Sequence, residues 1–217
     1  MKIAIDLNYV LRDIHKSFIR NYNKCYDTEF NHTSKRINSI DVLENNDILT
    51  FKTTLEKKKF LYEDYPYEIF GCANNMYVGL IGDFNDWMNK VVPYFKENVD
   101  IILVTTGEGD LASEASHFFV SKGYRVRRTF FPIDYKEVWD ECDVLVTANK
   151  KLLKSKPSNK LSVRIDTGFN LTCNADFSYN SVKEILNEEF LNTIYNVYKN
   201  NNNNKSWLKK IKTLLKK

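Results

Sequence analysis

Short apolar runs separated by amphipathic stretches dominate the chain, and this pattern predicts strands that alternate with helices. The apolar runs lie at residues 3–5, 99–104, 143–146 and 161–165, and residues 124–131 alternate in the manner of a strand. Runs of this kind are typical of strands that are buried on both faces, as in parallel sheets. The alternation with helices favours a sheet covered on both sides. The pattern therefore predicts an α/β protein with a Rossmann-like parallel sheet and helices on both faces.

The amphipathic stretches repeat their apolar residues at helical spacing. They lie at residues 14–22, 80–95, 111–122, 135–141 and 181–199. Pro93 is expected to end or kink the second of them. Residues 14–95 contain no parallel-strand pattern and separate the first strand from the second, so we expect them to form a helical cap over the sheet's carboxyl edge. The predicted core consists of residues 1–13 and 96–199.

The C-terminal end differs in composition from the rest of the chain. Residues 200–204 are five consecutive asparagines, which predict a flexible linker that ends the preceding helix. Residues 205–217 have the spacing of a basic amphipathic helix, with an apolar face formed by Trp207, Leu208, Ile211, Leu214 and Leu215. We expect this helix to dock on a protein partner; a solubilising helix and a membrane-surface helix are the alternatives.

Positive charge is concentrated in the same tail. Six of the 32 basic residues lie at 205–217, so the remainder of the 217-residue chain has 26 basic and 28 acidic residues. This balance argues against a nucleic-acid partner for the body. The absence of a transmembrane run and of a signal-peptide pattern predicts a soluble, cytoplasmic protein. The four cysteines are scattered and lack the spacing of a zinc site.

The candidate chemistry begins at Asp6, which ends the first predicted strand. Open α/β sheets bind ligands at this edge, although capping of the next helix is an alternative role. The segment from Asp6 to Leu11, DLNYVL, resembles the first motif of the haloacid dehalogenase-like superfamily, most of whose members are phosphatases. The resemblance implies that Asp6 is the nucleophile and that Asn8 stands in place of the general acid. An amide cannot exchange a proton, so we expect impaired catalysis.

Two later positions continue the resemblance. Thr105 matches the Ser or Thr that hydrogen-bonds the phosphate, and Lys136 matches the lysine that stabilises charge on the nucleophile and phosphate. The resemblance thus implies a phosphate site near Thr105, with Thr106 and Gly107 as further substrate-binding residues.

The metal-binding acids of the superfamily have no counterpart here. Their positions are occupied by Thr147 and Ala148. Mg²⁺ requires charged oxygen ligands, so Asp6 with carbonyls and waters would form a weak site. Asp110 and Asp166 are conceivable substitutes outside the motif.

Within the superfamily, the chain resembles the 5'(3')-deoxyribonucleotidases and their phage and bacterial relatives. The resemblance covers residues 1–190 and rests on the segment from Lys136 to Val146, on residues 167–170 (TGFN) and on the cap. It implies a nucleotide or phosphate ligand, and a host cytoplasm or a virion as the location if the origin is a phage. In relatives cap aromatics sandwich the base, so Phe18, Tyr65, Tyr67 and Trp87 are candidates, with core packing as the alternative.

Three functions are compatible with these observations. The first is a catalytically impaired member of the superfamily that is retained to bind a nucleotide, a phosphate or a protein. The second is an active Mg²⁺-dependent phosphatase or 5'-nucleotidase that forms an aspartyl-phosphate on Asp6. The third is a structural or assembly protein that docks through its C-terminal helix. Loss of both the general acid and the metal ligands favours the first.

Overall fold

The computed structural model describes residues 1–29, 51–105, 109–132 and 134–214, without the side chains of residues 96, 97, 135 and 202–214. Within these ranges the strands are β1 (Lys2–Asp6), β2 (Arg12–Asp13), β3 (Asn74–Asn75), β4 (Asp100–Val104), β5 (Arg128–Phe130), β6 (Val144–Thr147), β7 (Leu161–Ile165) and β8 (Phe177–Tyr179). The α-helices are α1 (Ile14–Tyr26), α2 (Thr54–Lys59), α3 (Leu80–Lys90), α4 (Asp110–Ser121), α5 (Tyr135–Glu141), α6 (Lys150–Lys154) and α7 (Glu188–Leu214). None of these helices is long and apolar enough to cross a membrane.

In the described part of the chain, six strands form one parallel sheet in the order β5-β4-β1-β6-β7-β8. β1 lies between β4 and β6, and its residues Ile3 to Asp6 are buried because strands flank it on both sides. The register pairs Asp6 with Val104 of β4 and Ile5 with Val146 of β6. The predicted α/β architecture with a parallel sheet is confirmed.

Helices cover both faces of this sheet. Ile3 and Ile5 of β1 belong to a large apolar cluster that includes side chains of α1, α3, α4 and α7. Ala4 points to the opposite face, where the cluster contains residues of α5 and α6. There the Trp139 indole N–H donates to the Leu152 carbonyl at 3.0 Å and ties the two helices together. Alternate residues of one strand thus face two cores, as expected for a doubly covered sheet.

The described part of the inserted segment packs into the core of the sheet. Three phenylalanines of this segment belong to the same apolar cluster as Ile3: Phe18 of α1, Phe60 directly after α2, and Phe84 of α3. α1 begins where the sequence indicates, because the Asp13 carboxylate accepts from the Lys16 backbone N–H at 3.0 Å. The short strands β2 and β3 form an antiparallel ribbon that the sequence did not predict. A separate cap stays a prediction, since no described boundary divides its core from that of the sheet.

Of two other predicted boundaries, one agrees with the structure and one differs. α3 ends at Lys90 and a 3₁₀ turn over Val92–Asn98 contains Pro93, which confirms the predicted stop. The strand expected at 124–131 shortens to Arg128–Phe130, because β4 pairs with those three residues alone. Tyr124 instead packs its ring against Phe84 and Phe119.

The asparagine run does not end the last helix, so that prediction is wrong. A 3₁₀ turn over Val182–Ile185 precedes α7, which extends without interruption from Glu188 to Leu214. Asn187 starts the helix, because its side-chain oxygen accepts from the Phe190 backbone N–H at 2.8 Å. Asparagine is a weak helix former rather than a breaker, and extension of a formed helix is easier than nucleation. The side chains of the predicted docking face lie outside the described residues.

Candidate functional site

The strand order brings three predicted site residues to one edge of the sheet. The chain runs from β1 outward to β4 and β5 and then crosses back to β6, so the order reverses between β1 and β6. Open α/β sheets bind ligands outside the carboxyl ends of the strands at such a reversal. Asp6 ends β1, Thr147 ends β6 and Thr105 follows β4, with exposed fractions of 2%, 0% and 1%. The three side chains therefore form a buried polar group.

Two hydrogen bonds hold the Asp6 carboxylate. The Thr147 hydroxyl donates to Oδ2 at 2.7 Å, and the Asn8 backbone N–H donates to Oδ1 at 3.1 Å. The Thr147 hydroxyl also accepts from the Asn149 backbone N–H at 3.0 Å, which fixes its direction. These bonds connect Asp6 to the turn after β1 and to the end of β6, the two strands between which the order reverses. Asp6 does not cap α1, because Asp13 has that role.

Burial raises the pKa of Asp6 from 3.8 to about 6 and is the largest influence on it. The hydrogen bonds from Thr147 and Asn8, the charge of Arg12 and the nearby Thr105 hydroxyl act in the opposite direction. A carboxyl group whose pKa is displaced by burial at a ligand-binding edge is a candidate functional group.

Arg12 supplies a buried positive charge beside this carboxylate. Its Nε donates to Asn8 Oδ1 at 2.8 Å, and its two terminal nitrogens donate to the Phe70 carbonyl and the Ser116 hydroxyl, each at 2.9 Å. The guanidinium carbon lies 5.3 and 5.4 Å from the ring centres of Phe70 and Phe119. Burial lowers the pKa of Arg12 to about 9 and the Asp6 charge acts against this, so the group is cationic at neutral pH.

Asn8 is fixed by the turn that joins β1 to β2. The Arg12 backbone N–H donates to the Leu7 carbonyl at 2.8 Å, and the Tyr9 N–H donates to the Arg12 carbonyl at 2.8 Å. These bonds bring Arg12 back beside Asn8, whose side-chain oxygen accepts from the guanidinium. The Asn8 amide, which stands at the predicted position of the general acid, therefore accepts a hydrogen bond from Arg12. It has no acidic proton to transfer.

The predicted phosphate-binding residues differ in their placement. The Thr105 hydroxyl is buried next to Asp6 and lowers the pKa of that carboxyl, but it forms no well-aligned hydrogen bond with any residue that the structure describes. Lys136 lies in the first turn of α5 with an exposed side chain, and its described contacts do not include Asp6. Thr106 and Gly107 lie outside the described residues, and their assignment stays a prediction.

Of the four aromatic residues proposed to sandwich a base, Tyr67 is 40% exposed and Tyr65 is half-buried, whereas Phe18 and Trp87 are in the core. Phe18 is 1% exposed and packs against Tyr22 and Phe60, with ring centres 5.9 and 5.8 Å away. Trp87 is 2% exposed, and its indole N–H donates to the Asn187 carbonyl at 3.2 Å. Their placement corresponds to the core-packing alternative and gives no support to base stacking.

The side chains that the structure describes at this edge do not fit a Mg²⁺ ion. A hard dication takes several oxygen ligands, usually including carboxylates. Each Asp6 oxygen already accepts a hydrogen bond, Ala148 has no side-chain oxygen, and Thr147 donates its proton to Asp6. Asp166 pairs with Arg164 at 2.6 Å, and Asp110 is exposed in the first turn of α4. The described residues contain no cluster of three or more acidic, His or Cys side chains that could hold a metal.

Sequence reasoning missed Arg12, and also the role of Asn170. Asn170 is fully buried and donates to the Ala148 and Ile165 carbonyls at 3.1 and 2.8 Å, which joins the loops that follow β6 and β7.

The signal for Arg12 was a lone basic residue between apolar Leu11 and Ile14. Basic residues are rarely buried, so the pattern by itself favoured an exposed position.

The sequence matches no protein-family model, and no curated protein matches it significantly. The haloacid dehalogenase-like resemblance therefore stays a prediction that rests on the motif residues and on their position in the sheet.

Proposed function

We propose that this protein is a haloacid dehalogenase-like protein that binds a phosphate or nucleotide without hydrolysing it. The observation that carries this proposal is the 2.7 Å hydrogen bond from Thr147 to Asp6. A hydroxyl donor stands where the superfamily has a metal-binding acid, and the carboxylate that would attack phosphorus is instead part of a buried network.

Catalysis is impaired at each step that the resemblance requires. Asn8 has no acidic proton and its oxygen accepts from Arg12, so it cannot protonate a leaving group. Loss of a general acid typically lowers the rate by about 10²–10⁴-fold. A nucleophilic attack by Asp6 would also break its hydrogen bond with Thr147. The described side chains around Asp6 do not fit Mg²⁺, so we expect no metal to compensate for these losses.

A phosphate at this edge would be bound through groups that are still present. The Thr105 hydroxyl lies beside the Asp6 carboxylate and forms no well-aligned hydrogen bond within the described residues, so we expect a phosphate oxygen to satisfy it better. Thr106 and Gly107, which follow Thr105 in the sequence, are the further predicted substrate-binding residues. Lys136 is expected to add a positive charge at the rim. The strand reversal is the position at which sheets of this kind bind ligands.

The test is calorimetric titration of the full chain with inorganic phosphate and deoxynucleoside monophosphates, in EDTA and then in Mg²⁺, with phosphate release assayed on the same sample. We expect binding in EDTA and no turnover in either buffer. Thr105→Val removes one hydrogen bond to a charged ligand, and we expect phosphate affinity to fall about 10- to 100-fold. Thr129→Val on the neighbouring strand β5 is the matched control and is expected to leave affinity unchanged.

Two other functions would give different results. Mg²⁺-dependent turnover that disappears in Asp6→Asn would establish the active phosphatase or 5'-nucleotidase and overturn the proposal. Turnover that persists in that variant would belong to a contaminant. No binding by the wild type would leave the third function, a structural or assembly role through residues 205–217.

A further inference from the structure

An exposed apolar surface lies on the outer side of α4. Leu111 and Phe118 are 42% and 45% exposed, and they stand two helical turns apart on the same side of the helix. Tyr67 adjoins them, because its ring centre lies 6.1 Å from that of Phe118 and its hydroxyl donates to Glu114 at 3.1 Å. We call these three residues the α4 surface. Large apolar side chains that cluster in the open are typical of interaction sites.

The aromatic part of the α4 surface is held in place by close packing. A π-helical turn over Tyr67–Gly71 packs on α4, and a Cβ atom at Gly71 would lie 3.1 Å from Phe118 Cδ1 and 3.3 Å from the Ala115 carbonyl oxygen. The glycine therefore allows the turn to approach the helix. The rings of Tyr67 and Phe118 form one fixed surface, and a preformed surface loses little freedom when it binds a partner.

Acidic side chains lie beside the α4 surface. A second π-helical turn, over Phe60–Asp64, precedes the first, and both turns contact α4. The two turns contain three exposed carboxylates, and none of these forms an ion pair with a residue that the structure describes: Glu63, Asp64 and Glu68. Residues 60–89 contain five acidic residues and no basic one. The α4 surface therefore favours a basic partner.

The chain contains a segment of complementary chemistry at its C-terminal end. Residues 205–217 contain six lysines and no acid, and their apolar residues recur at helical spacing. The backbone is helical as far as Leu214. Amphipathic helices of this kind bind apolar surfaces through their apolar face, and opposite charges at the rim select the partner. A lysine-rich apolar helix thus matches an apolar surface with carboxylates beside it.

The course of α7 favours a second copy of the chain as the source of this segment. Among the described side chains of α7, Ile194 is the last that is fully buried. Residues 199–206 include no apolar residue, and they extend over about 12 Å of helix, so two polar turns separate the tail from the core. α7 is continuous across these turns. An unbroken helix cannot turn back onto the protein from which it extends.

We propose that the α4 surface binds residues 205–217 of a second copy of this chain. Two copies exchange their tails reciprocally, so that each molecule contributes one surface and one tail to a two-fold symmetric dimer. The apolar face of the tail covers the α4 surface, and the tail lysines pair with the carboxylates of the two π-helical turns. This interaction is independent of phosphate binding at Asp6 and Thr105.

The first experiment is sedimentation velocity of the full chain at increasing protein concentration, in about 0.05 M and about 0.5 M NaCl. We expect a monomer–dimer equilibrium. The dimer should be weaker at the higher salt concentration, because salt screens the attraction between lysines and carboxylates. A monomer at every concentration would overturn the proposal, and so would a dimer that is lost neither in salt nor in the variants below.

The second experiment exchanges the charges of the two partners. Glu63→Lys with Glu68→Lys makes the surface basic, and Lys209→Glu with Lys212→Glu makes the tail acidic. Each double variant alone should dimerise at least about tenfold more weakly, because surface and tail then carry like charges. A mixture of the two double variants should form a heterodimer, since both of its contacts join opposite charges. Failure of the mixture to associate would contradict the proposed pairing.

A matched control changes the same number of charges elsewhere. Glu137 and Asp140 are exposed on α5, which covers the opposite face of the sheet. Glu137→Lys with Asp140→Lys should leave dimerisation unchanged. Equal weakening by this double variant would show that net charge alone governs association and would overturn the proposal.

The third experiment tests the apolar contact. Phe118→Ser removes an exposed ring from the α4 surface, and we expect dimerisation to weaken about tenfold. Tyr94→Ser is the control, because Tyr94 is 78% exposed and lies outside that surface. Far-ultraviolet circular dichroism of each variant verifies that the fold is retained. An unchanged dimer in Phe118→Ser would place the contact elsewhere and contradict the proposal.

Two further readouts separate this proposal from its alternatives. A monomer that binds vesicles of phosphatidylcholine and phosphatidylserine through its tail lysines would assign the tail to a membrane surface and overturn the proposal. Phosphate titrations on the same samples test the proposed function separately. Dimerisation without phosphate binding would count against that function alone.

Discussion

Two threonines at the carboxyl edge of the sheet have hydroxyls in opposite situations. The Thr147 hydroxyl, at the end of β6, donates to Asp6 at 2.7 Å and accepts from the Asn149 N–H. The Thr167 hydroxyl, just after β7, is buried without a partner in the part of the chain that the structure describes. The first completes a hydrogen-bonded network around Asp6, whereas the second makes no hydrogen bond to the described residues. One edge therefore contains a satisfied and an unsatisfied buried hydroxyl.

Two arginines extend the same comparison. Arg12 is 1% exposed and bonds three partners around the Asp6 network. The Arg164 side chain, near the end of β7, is 14% exposed and pairs with Asp166. Both arginines satisfy neighbouring oxygen atoms, but the charge of Arg12 is fully removed from water. Loss of Arg12 should therefore disturb the fold more than loss of Arg164.

The largest effect is expected for Arg12→Met. The substitution keeps an apolar stem but leaves Asn8 Oδ1 and the Phe70 carbonyl without their donor. It also removes the positive charge that stabilises the ionised form of Asp6. Removing one partner from a buried charged network typically costs about 3–5 kcal/mol of unfolding free energy. Urea denaturation at pH 7 measures this loss. Arg164→Met is the control, and a loss as large there would contradict the comparison.

The next effect is the pH dependence that Asp6 confers. Its pKa of about 6 in the folded protein lies above its ordinary value of 3.8, so the folded state binds the proton more tightly. The resulting stabilisation is complete below pH 3.8 and is lost as the pH rises through about 6, by about 3 kcal/mol in total. Asp6→Asn should abolish this contribution. Denaturant unfolding of both proteins from pH 4 to pH 7.5 gives the difference, and parallel pH profiles would contradict it.

The smallest expected effect is the difference in unfolding free energy between the same substitution at Thr147 and at Thr167. Thr147→Val removes a hydrogen bond to a charged group and should cost about 1.5–3 kcal/mol at pH 7.5. It should also move the midpoint of the Asp6 pH dependence upward, because that hydrogen bond lowers the pKa of Asp6. Thr167→Val removes a hydroxyl without a described partner and should be neutral or stabilising. Similar losses at the two sites, in the same unfolding measurement, would refute the distinction.

Much of the fold was predictable because it depends on local patterns. The apolar runs that became β1, β4, β6 and β7 are long enough to be recognised without their partners. β8 and the β2–β3 ribbon were missed, because strands of two or three residues acquire their conformation from pairing rather than from their own sequence. The prediction for the asparagine run was wrong because it relied on local composition alone. Its composition is typical of a linker, but α7 continues through it.

The candidate site was predictable in its position and less so in its chemistry. Asp6, Thr105 and Thr147 were found because each stands at or just after the end of an apolar run. The hydrogen bond between Thr147 and Asp6 joins residues 141 positions apart, so no local pattern contains it. The burial of Phe18 and Trp87 likewise depends on the segments that pack over them.

The sequence by itself determined the parallel sheet, the edge at which its polar residues gather, and the absence of carboxylates at Asn8, Thr147 and Ala148. These follow from periodicity and residue identity, which are local properties. Tertiary structure alone decided that Arg12 is buried and that Thr147 donates to Asp6. Each of these depends on distances between segments far apart in the chain, which packing of the whole molecule fixes.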